Sequence, residues 1–277
     1  MRMGRRVTLL KKTSQMLLNF DPEMSALVEE EVRSKGVTIS TGVDILSFEG
    51  SGRVEKVVNN KGEVKAEAVL IAKGAVPNVG LAKQIGVKIG ATGAIAVNKH
   101  QKTNVDHVYA GGDCAEAYHI VHGKPAYIPL GTMANKAGRV AGENIGGLNT
   151  EFPGIVGTAI SKISDLEVAR TGLSLKEATG DGFDGYATTI RHRSRSKHYP
   201  GGYPITVHLI TERDTRRLLG AQMIGREGVA HRIDVMAAVL HGGMTAEDVY
   251  HLDLGYAPPF APAWDPILIA ANKARKA

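Results

Sequence analysis

The start of the chain alternates between short apolar runs and one amphipathic segment. Val7-Thr-Leu-Leu10 is a β-branched, apolar run of the kind that forms a buried parallel strand. Asp21-Pro22 is a typical helix start, and apolar residues then recur at helical spacing until Gly36. Residues 37–41 have the composition of another strand. The pattern therefore predicts a strand, a helix and a second strand.

Three more strands are predicted before residue 76. They cover residues 45–48, 54–58 and 67–72, and turn sequences at 49–52 and 59–62 separate them. This order is typical of a dinucleotide-binding α/β unit entered part-way. Its opening strand and glycine turn are not in the sequence, so we expect an incomplete unit.

The last third of the chain has a different pattern. Strand-like residues at 156–168 give way to turns, and antiparallel strands are predicted at 186–190, 204–210 and 218–224. Helices are predicted at 229–240 and from an N-cap at Thr245. Strands followed by helices predict an α+β domain with an antiparallel sheet.

The composition narrows the location and the chemistry. No run among the 277 residues approaches the roughly 18 apolar residues of a membrane span, and the basic start at residues 1–6 precedes too few apolar residues for a signal peptide. We therefore predict a cytoplasmic protein without membrane binding. The only cysteine, Cys114, excludes a disulfide framework and dithiol chemistry from this chain alone.

The net charge is +6, from 34 basic and 28 acidic residues. Most of the excess lies in Arg191-His-Arg-Ser-Arg-Ser-Lys-His198, which contains no acid. This run is either a solvated loop or a contact for phosphate. An aromatic content of 5% without an aromatic-interleaved basic face argues against a nucleic-acid module.

Candidate nucleotide-binding residues lie where predicted strands end. Lys11 follows the first strand, where an NAD-preferring unit carries an acid, so Lys11 either favours a 2′-phosphate or is a surface lysine. Thr103-Asn-Val-Asp-His-Val-Tyr-Ala-Gly-Gly-Asp113 has the form T-x-x-x-x-hydrophobic-Tyr-Ala-x-Gly-Asp, with a short strand predicted at 108–110. Gly112 permits close backbone approach of a ligand, and Asp113 can accept hydrogen bonds from sugar or ribityl hydroxyls.

Two further segments complete this candidate site. Ala72-Lys-Gly-Ala-Val-Pro-Asn78 is a strand end with a turn at Gly74. Residues 129–144 are predicted to form a helix rich in small residues, whose first amides, around Leu130, Gly131 and Thr132, can face an electron-rich ring edge.

These segments resemble the FAD-dependent pyridine nucleotide-disulfide oxidoreductases, in particular their coenzyme A-disulfide reductase and NADH oxidase branch. Residues 103–113 are similar to the second FAD fingerprint, and Leu254-Gly-Tyr-Ala-Pro-Pro-Phe-Ala-Pro-Ala-Trp-Asp-Pro266 is similar to the end of that branch. The resemblance implies FAD and NAD(P)H as cofactors. It also implies a partial NAD(P)-binding domain at 1–76, the C-terminal part of an FAD-binding domain at 77–150 and a dimerisation domain at 151–277. The expected fold is therefore an incomplete Rossmann-like α/β region followed by an α+β dimerisation domain.

The resemblance also implies site residues and partners. It places Tyr199 and Tyr256 at two tyrosine positions near the redox site, where a phenol can protonate a leaving thiolate. The implied partners are a second copy of the chain, in a homodimer, and a small disulfide such as coenzyme A disulfide. Arg191, Arg193 and Arg195, just before Tyr199, are predicted to hold the phosphates of coenzyme A on a flexible segment.

The departures from the family set limits on the activity. The first glycine fingerprint and the redox cysteine segment are absent, and Cys114 lies in the second FAD fingerprint, where we expect an inert thiol. His119 and His122 lack a third ligand at metal-binding spacing, so no metal site is predicted. The chain resembles the C-terminal part of a flavoenzyme, inactive when isolated. The alternatives are an NADH oxidase of the same family and a non-catalytic dimerisation or nucleotide-binding remnant.

Overall fold

The structure is a computed structural model that describes residues 4–277. Met1 to Met3, part of the basic start used to predict location, lie outside the described residues. Strands β1 (Thr8–Leu10) and β2 (Thr38–Ser40) pair in parallel, and helix α1 (Pro22–Ser34) connects them. The predicted strand, helix and strand are confirmed.

A three-stranded antiparallel sheet follows. It contains β3 (Ile45–Glu49), β4 (Lys56–Asn59) and β5 (Gly62–Lys65) in sequence order. The strands predicted at 45–48 and 54–58 correspond to β3 and β4. The turn predicted at 59–62 is narrower than expected, because Asn59 and Gly62 already pair with each other.

The strand predicted at residues 67–72 is wrong. This segment has no regular secondary structure and pairs with no described strand. Its apolar side chains remain in solvent, with Leu70 92% and Ile71 64% exposed. A single extended segment forms no sheet without a neighbour to share its backbone hydrogen bonds, so the apolar run alone does not suffice.

The middle of the chain contains helices α2 (Gly80–Gln84) and α3 (Gly131–Ile145) and the short hairpin of β6 (Ala117–His119) and β7 (Lys124–Ala126). Helix α3 confirms the predicted small-residue helix. The strand predicted at 108–110 is not formed, since only Tyr109 makes an isolated bridge, to Lys102. Ala115 is buried and pairs with Ile95 in another single bridge.

The C-terminal region forms one antiparallel sheet of five strands in the order β10-β11-β12-β9-β8. The strands are β8 (Ala159–Ile163), β9 (Leu166–Gly172), β10 (Gly185–Arg193), β11 (Pro204–Glu212) and β12 (Leu218–Gly225). The helices are α4 (Leu175–Gly180), α5 (Val229–His241), α6 (Ala246–Tyr250) and α7 (Pro266–Ala274). The predicted strands and the helices at 229–240 and after Thr245 are confirmed, whereas α4 and α7 are additional.

This sheet is covered on both faces. Helices α5 and α7 pack on one face, against buried residues such as Val207 and Ala221. Helix α1 packs on the other face, where Met24 and Val28 contact Ile224 in a second apolar cluster. Every residue of β12 is consequently buried. The N-terminal segment is thus bound to the C-terminal sheet and does not stand apart from it.

Among the described helices, none combines the length and apolar character required to cross a bilayer.

Candidate functional site

The loop that carries Gly112 and Asp113 lies against helix α3. A Cβ added at Gly111 would lie 3.1 Å from the carbonyl carbon of Ala137, so glycine permits this close approach. Gly112 has φ +87° and lies beside Ala134, in the first turns of the helix. The structure therefore brings the predicted glycine turn next to the beginning of α3.

The start of α3 supplies free backbone donors. Leu130 is the N-cap, and its carbonyl accepts the Ala134 amide at 2.9 Å. The amides of Gly131 and Thr132 precede this first helical bond and have no acceptor within the helix. Both residues are exposed, as is Asp113. An acceptor carboxylate and positive helix-end amides on neighbouring segments fit the ribityl chain and the ring edge of a flavin.

The other predicted nucleotide contacts lie apart from this loop in the chain. Lys11 follows β1, is partly exposed and donates its backbone amide to Ser40 at 2.9 Å. Its neighbour Lys12 forms an ion pair with Asp44 at 2.8 Å, and that hydrogen bond raises the pKa of Lys12. Gly74 is exposed, with φ +89°. Lys11 thus has the position expected for ribose recognition, at the carboxyl end of a parallel strand.

Cys114 is partly buried, and its sulfur lies 3.6 Å from the carbonyl oxygen of Gly111. It therefore belongs to the glycine turn itself, in agreement with a packing role.

Tyr199 and Tyr256 lie on two loops of the C-terminal region. We call residues 194–203, between β10 and β11, the Tyr199 loop, and residues 251–265, between α6 and α7, the Tyr256 loop. The two tyrosines are 40% and 55% exposed. Both side chains are therefore accessible to a ligand.

The buried side chain of Arg232, on α5, joins these loops. Its guanidinium donates to both carboxylate oxygens of Asp265, at 2.9 and 3.1 Å from Nε, and to the carbonyl of Ser194 at 3.0 Å. A further bond of 2.8 Å reaches the carbonyl of Gly228. Arg232 is 1% exposed. One cation thus contacts the start of the Tyr199 loop and the end of the Tyr256 loop.

A cavity of about 320 Å³ opens beside this ion pair. Leu254, Gly255 and Phe260 of the Tyr256 loop line it, together with His231 and Arg232 of α5. Burial and the neighbouring Arg232 lower the pKa of His231. The cavity wall is mostly apolar, and the lowered pKa favours the neutral form of the His231 imidazole.

The basic run is ordered, which corrects the expectation of a flexible segment. Arg191 and Arg193 lie on β10, with side chains exposed, opposite Thr206 and Pro204 of β11. Arg193 donates to the carbonyl of Gly201 at 2.8 Å. Extending the strand satisfies backbone groups that a free loop would leave to solvent.

Arg195 differs from the other two arginines. Its guanidinium pairs with Glu227, which also accepts the hydroxyl of Ser194. These bonds, from Arg195 first, lower the pKa of Glu227. Since its charge is already balanced, Arg195 is the weakest of the three candidates for a phosphate contact.

His119 and His122 stack with ring centroids 4.5 Å apart. Burial, followed by the charges of His122 and Arg170, lowers the pKa of His119 to about 4. Within residues 4–277, no group of three metal-ligating side chains was found.

Sequence reasoning missed Arg232, Asp265 and Glu227. A sequence signal exists for one of them, because Asp265-Pro266 repeats the Asp-Pro helix start of α1, and Asp265 caps α7 through the amide of Ile267. Arg232 lies 33 positions from Asp265, and Glu227 lies 32 positions from Arg195, so no local pattern reveals these pairs.

Comparison with known proteins defines the class. Residues 1–137 match the family described as "Pyridine nucleotide-disulphide oxidoreductase", and residues 158–266 match the dimerisation domain of that family. The chain belongs to the pyridine nucleotide-disulfide oxidoreductases. The expected fold, a Rossmann-type region followed by a dimerisation domain with a five-stranded sheet, is confirmed. This family uses FAD and NAD(P)H, as the resemblance implied.

Individual relatives lie in the predicted branch. The chain is 46% identical, over 97% of its length, to "NAD(P)H sulfur oxidoreductase (CoA-dependent)" of Pyrococcus furiosus, and 33% identical, over 99%, to "NADH oxidase" of Methanocaldococcus jannaschii. The solved NAD-dependent persulfide reductase from A. fulgidus superposes with a TM-score of 0.95 at 38% identity, covering 99% of this chain and 51% of that one. The chain spans 61% of the length of each of the two curated relatives.

Proposed function

We propose that this chain forms the C-terminal part of a flavin-dependent NAD(P)H oxidoreductase that reduces coenzyme A disulfide, or a related disulfide or persulfide, as a homodimer. The names of the Pyrococcus furiosus relative and of the Staphylococcus aureus relative, "Coenzyme A disulfide reductase", support this substrate class. An NADH oxidase activity is the alternative, since relatives with that name are 33% and 30% identical to this chain over 99% of its length. The cytoplasmic location stays a prediction.

The flavin side of the site is assigned to two segments. Asp113 accepts hydrogen bonds from ribityl hydroxyls, Gly112 allows the approach, and the amides at residues 130–132 face the ring edge. When bound, FAD supplies the hydride-accepting and electron-passing chemistry. Lys11 and Gly74 are assigned to the bound NAD(P)H.

The proposed disulfide reduction rests on one observation. Tyr199 and Tyr256 are both accessible, and they lie on two loops that Arg232 connects. In our proposal, the Tyr256 hydroxyl donates its proton to the sulfur of the leaving thiolate, and Tyr199 hydrogen-bonds the same group. The disulfide bond breaks as it receives the two electrons that NAD(P)H supplies, Tyr256 protonates one thiolate, and a proton from solvent converts the other to the second thiol. Exposed Arg191 and Arg193, with Arg195 in support, bind the phosphates of coenzyme A.

In this proposal the isolated chain has no disulfide reductase turnover. Its only thiol, Cys114, is partly buried in the glycine turn and contacts the carbonyl of Gly111. A thiol that exchanges with a disulfide must be accessible, and the sulfur of Cys114 is packed in this turn instead.

The test uses a complemented enzyme, in which this chain is combined with the part of the Pyrococcus furiosus relative that it does not span. Reduction of coenzyme A disulfide is compared with that of a phosphate-free disulfide. Tyr256→Phe should lower kcat for both substrates by about 10²-fold, the contribution of a positioned general acid. Changing Arg191 and Arg193 to Ala should raise KM several-fold for coenzyme A disulfide alone.

Arg53→Ala is the matched control, because it removes an exposed arginine in the turn between β3 and β4. Equal effects of the arginine changes on both substrates would refute the phosphate contact. Full activity of Tyr256→Phe would remove the tyrosine from the mechanism. A complemented enzyme that binds FAD and reduces only oxygen would favour the NADH oxidase.

A further inference from the structure

We propose that Arg232 is a positioning residue of the disulfide site, which sets the distance between the Tyr199 loop and the Tyr256 loop. This inference rests on the proposed function, because it is there that the two tyrosines are assigned to one substrate. The sequence separates Ser194 and Asp265 by most of the C-terminal region. The guanidinium of Arg232 contacts both.

The hydrogen bonds of Arg232 hold its contacts in a fixed geometry. Arg232 presents Nε and one terminal nitrogen to Asp265, the latter at 2.8 Å, and uses its remaining donors on the carbonyls of Ser194 and Gly228. A planar guanidinium fixes the directions of all these bonds at once, which a lysine ammonium does not. Both partners are enclosed, with Arg232 1% and Asp265 6% exposed. Water therefore does not compete for these bonds.

Arg232 connects two loops, each of which carries one of the tyrosines. On the Tyr199 side, Ser194 accepts the amide of Tyr203 on its hydroxyl at 2.9 Å and donates to Glu227. On the Tyr256 side, Asp265 closes the loop as the N-cap of α7. Phe260 and Trp264, between the tyrosine and this cap, are 74% and 55% exposed. The Tyr256 loop also packs on the core through Leu252 and Leu254, and Arg195 ties the Tyr199 loop to Glu227. The bonds of Arg232 to Asp265 and Ser194 connect the two loops to each other.

The pairing gives conformational specificity. A buried ion pair adds little net stability compared with apolar replacements, and its best-attested use is to define one arrangement among several. Here the defined arrangement is the relative position of two tyrosine-bearing loops. A thiolate that must meet both phenols requires that separation, since a displacement of about 1 Å costs about 10²-fold in rate.

The first test measures hydrogen exchange of the 277-residue chain. Asp265→Asn keeps an acceptor for the Ile267 amide but removes the charge that orients Arg232. Asp265 lies at the end of the Tyr256 loop, where Asp265→Asn should raise amide exchange. We expect the same variant to raise amide exchange several-fold in the Tyr199 loop as well. Arg232→Lys should raise exchange in both loops. Amides in β11 and β12 should keep their protection in both variants.

Arg170→Lys is the matched control. Arg170 is also a buried arginine, 8% exposed, which pairs with Glu177 and donates to the Gly172 carbonyl. Its replacement should raise exchange around α4 and leave the two loops unchanged. The proposal is overturned if Asp265→Asn leaves the Tyr199 loop unchanged, or if exchange rises equally throughout the sheet.

The second test measures activity of the complemented enzyme. Arg232→Lys should lower kcat/KM for coenzyme A disulfide by about 10- to 100-fold, while NAD(P)H-driven reduction of ferricyanide, which needs neither tyrosine, is retained. When Arg232→Lys is combined with Tyr256→Phe, kcat/KM should fall almost no further than in Tyr256→Phe alone, because the phenol that Arg232 positions is gone. Additive losses would overturn the positioning role. If Tyr256→Phe alone is fully active, the proposed function fails, and the exchange result still decides whether Arg232 couples the loops.

Discussion

His119, at the end of β6, is 2% exposed and stacks on His122 in the turn that follows. Burial disfavours its imidazolium form, and the nearby Arg170 adds repulsion, so its pKa falls to about 4. The unfolded chain binds a proton at this position near pH 6.5, whereas the folded chain does not bind it until about pH 4. Folding stability must therefore decrease as the pH is lowered through this window.

We predict that His119→Phe, which keeps a flat ring for the stack, reduces this acid sensitivity. At pH 4.5 the free energy of unfolding of the unaltered protein should have lost about 2–3 kcal/mol through His119 relative to pH 7.5. The variant lacks that loss. Urea unfolding at the two pH values measures the difference.

The control is His107→Asn, at an exposed residue with φ +63° that asparagine tolerates. It should keep the full pH dependence. If His119→Phe and the unaltered protein lose the same free energy between pH 7.5 and 4.5, the imidazole of His119 is not held neutral.

At the residue scale, short sequence motifs predicted the features that depend on neighbouring residues, such as glycine turns and helix starts. Gly112, Asp113 and the amides after Leu130 were found from short motifs, and the structure brings those segments together. The paired state of Arg195 was not predictable, since its partner Glu227 lies 32 positions away. The sequence counts Arg195 with the other cations of the run, whereas in the structure Glu227 balances its charge.

The start of helix α1 has a role in the tertiary structure that its sequence does not show. Its N-cap, Asp21, makes no capping bond with its own helix. The carboxylate instead accepts the amide of Leu175 at 3.0 Å, the side chain of Gln222 at 2.7 Å and the imidazole of His208 at 3.2 Å. Burial alone would raise the pKa of Asp21, but the bonds from His208 and Leu175 outweigh it and lower the pKa. The helix start is thereby fixed to the sheet.

We predict that Asp21→Ala weakens this attachment. It leaves the buried donors of Gln222 and Leu175 without their acceptor, so the free energy of unfolding should fall by about 2–4 kcal/mol. Asp21→Asn keeps one acceptor oxygen and should cost less. Denaturant unfolding at pH 7 measures both.

The control is Glu23→Ala, on the same first turn of α1. Its carboxylate is 55% exposed and lies 3.8 Å from the His208 ring, so its loss should change stability by less than about 0.5 kcal/mol. Similar losses for Asp21→Ala and Glu23→Ala would indicate helix-dipole chemistry instead of docking on the sheet.

At the element scale, the success of the sequence analysis depended on partners. Strands of the C-terminal sheet were predicted well because each has a neighbour in the described chain. Residues 67–72 have equal strand character but no such neighbour, and they are irregular. His208 on β11 and Gln222 on β12 are polar, yet both are buried and bond Asp21 at the start of α1. A local pattern indicates the propensity of a segment, whereas pairing and coverage belong to the tertiary structure.

The whole molecule exposes an aromatic surface on the Tyr256 loop. Tyr256, Phe260 and Trp264 are each more than half exposed, although the segment around them is rich in proline and alanine. Such a surface on a region that matches a dimerisation domain is the natural candidate for a contact between copies. In a two-fold dimer, each residue of the contact occurs twice, so a single substitution acts on both halves.

We predict a homodimer at micromolar concentration that Phe260→Asp disrupts. Removing two buried phenylalanine side chains costs about 3–6 kcal/mol, so the dimer Kd should rise by about 10²-fold or more. Light scattering with sedimentation over a concentration series measures this dissociation constant.

Leu46→Asp is the matched control, because Leu46 of β3 is 67% exposed outside the dimerisation domain. A strict monomer in the unaltered protein would contradict the prediction, and equal effects of both substitutions would place the contact elsewhere. A dimer lost only in Phe260→Asp would assign the Tyr256 loop to the interface.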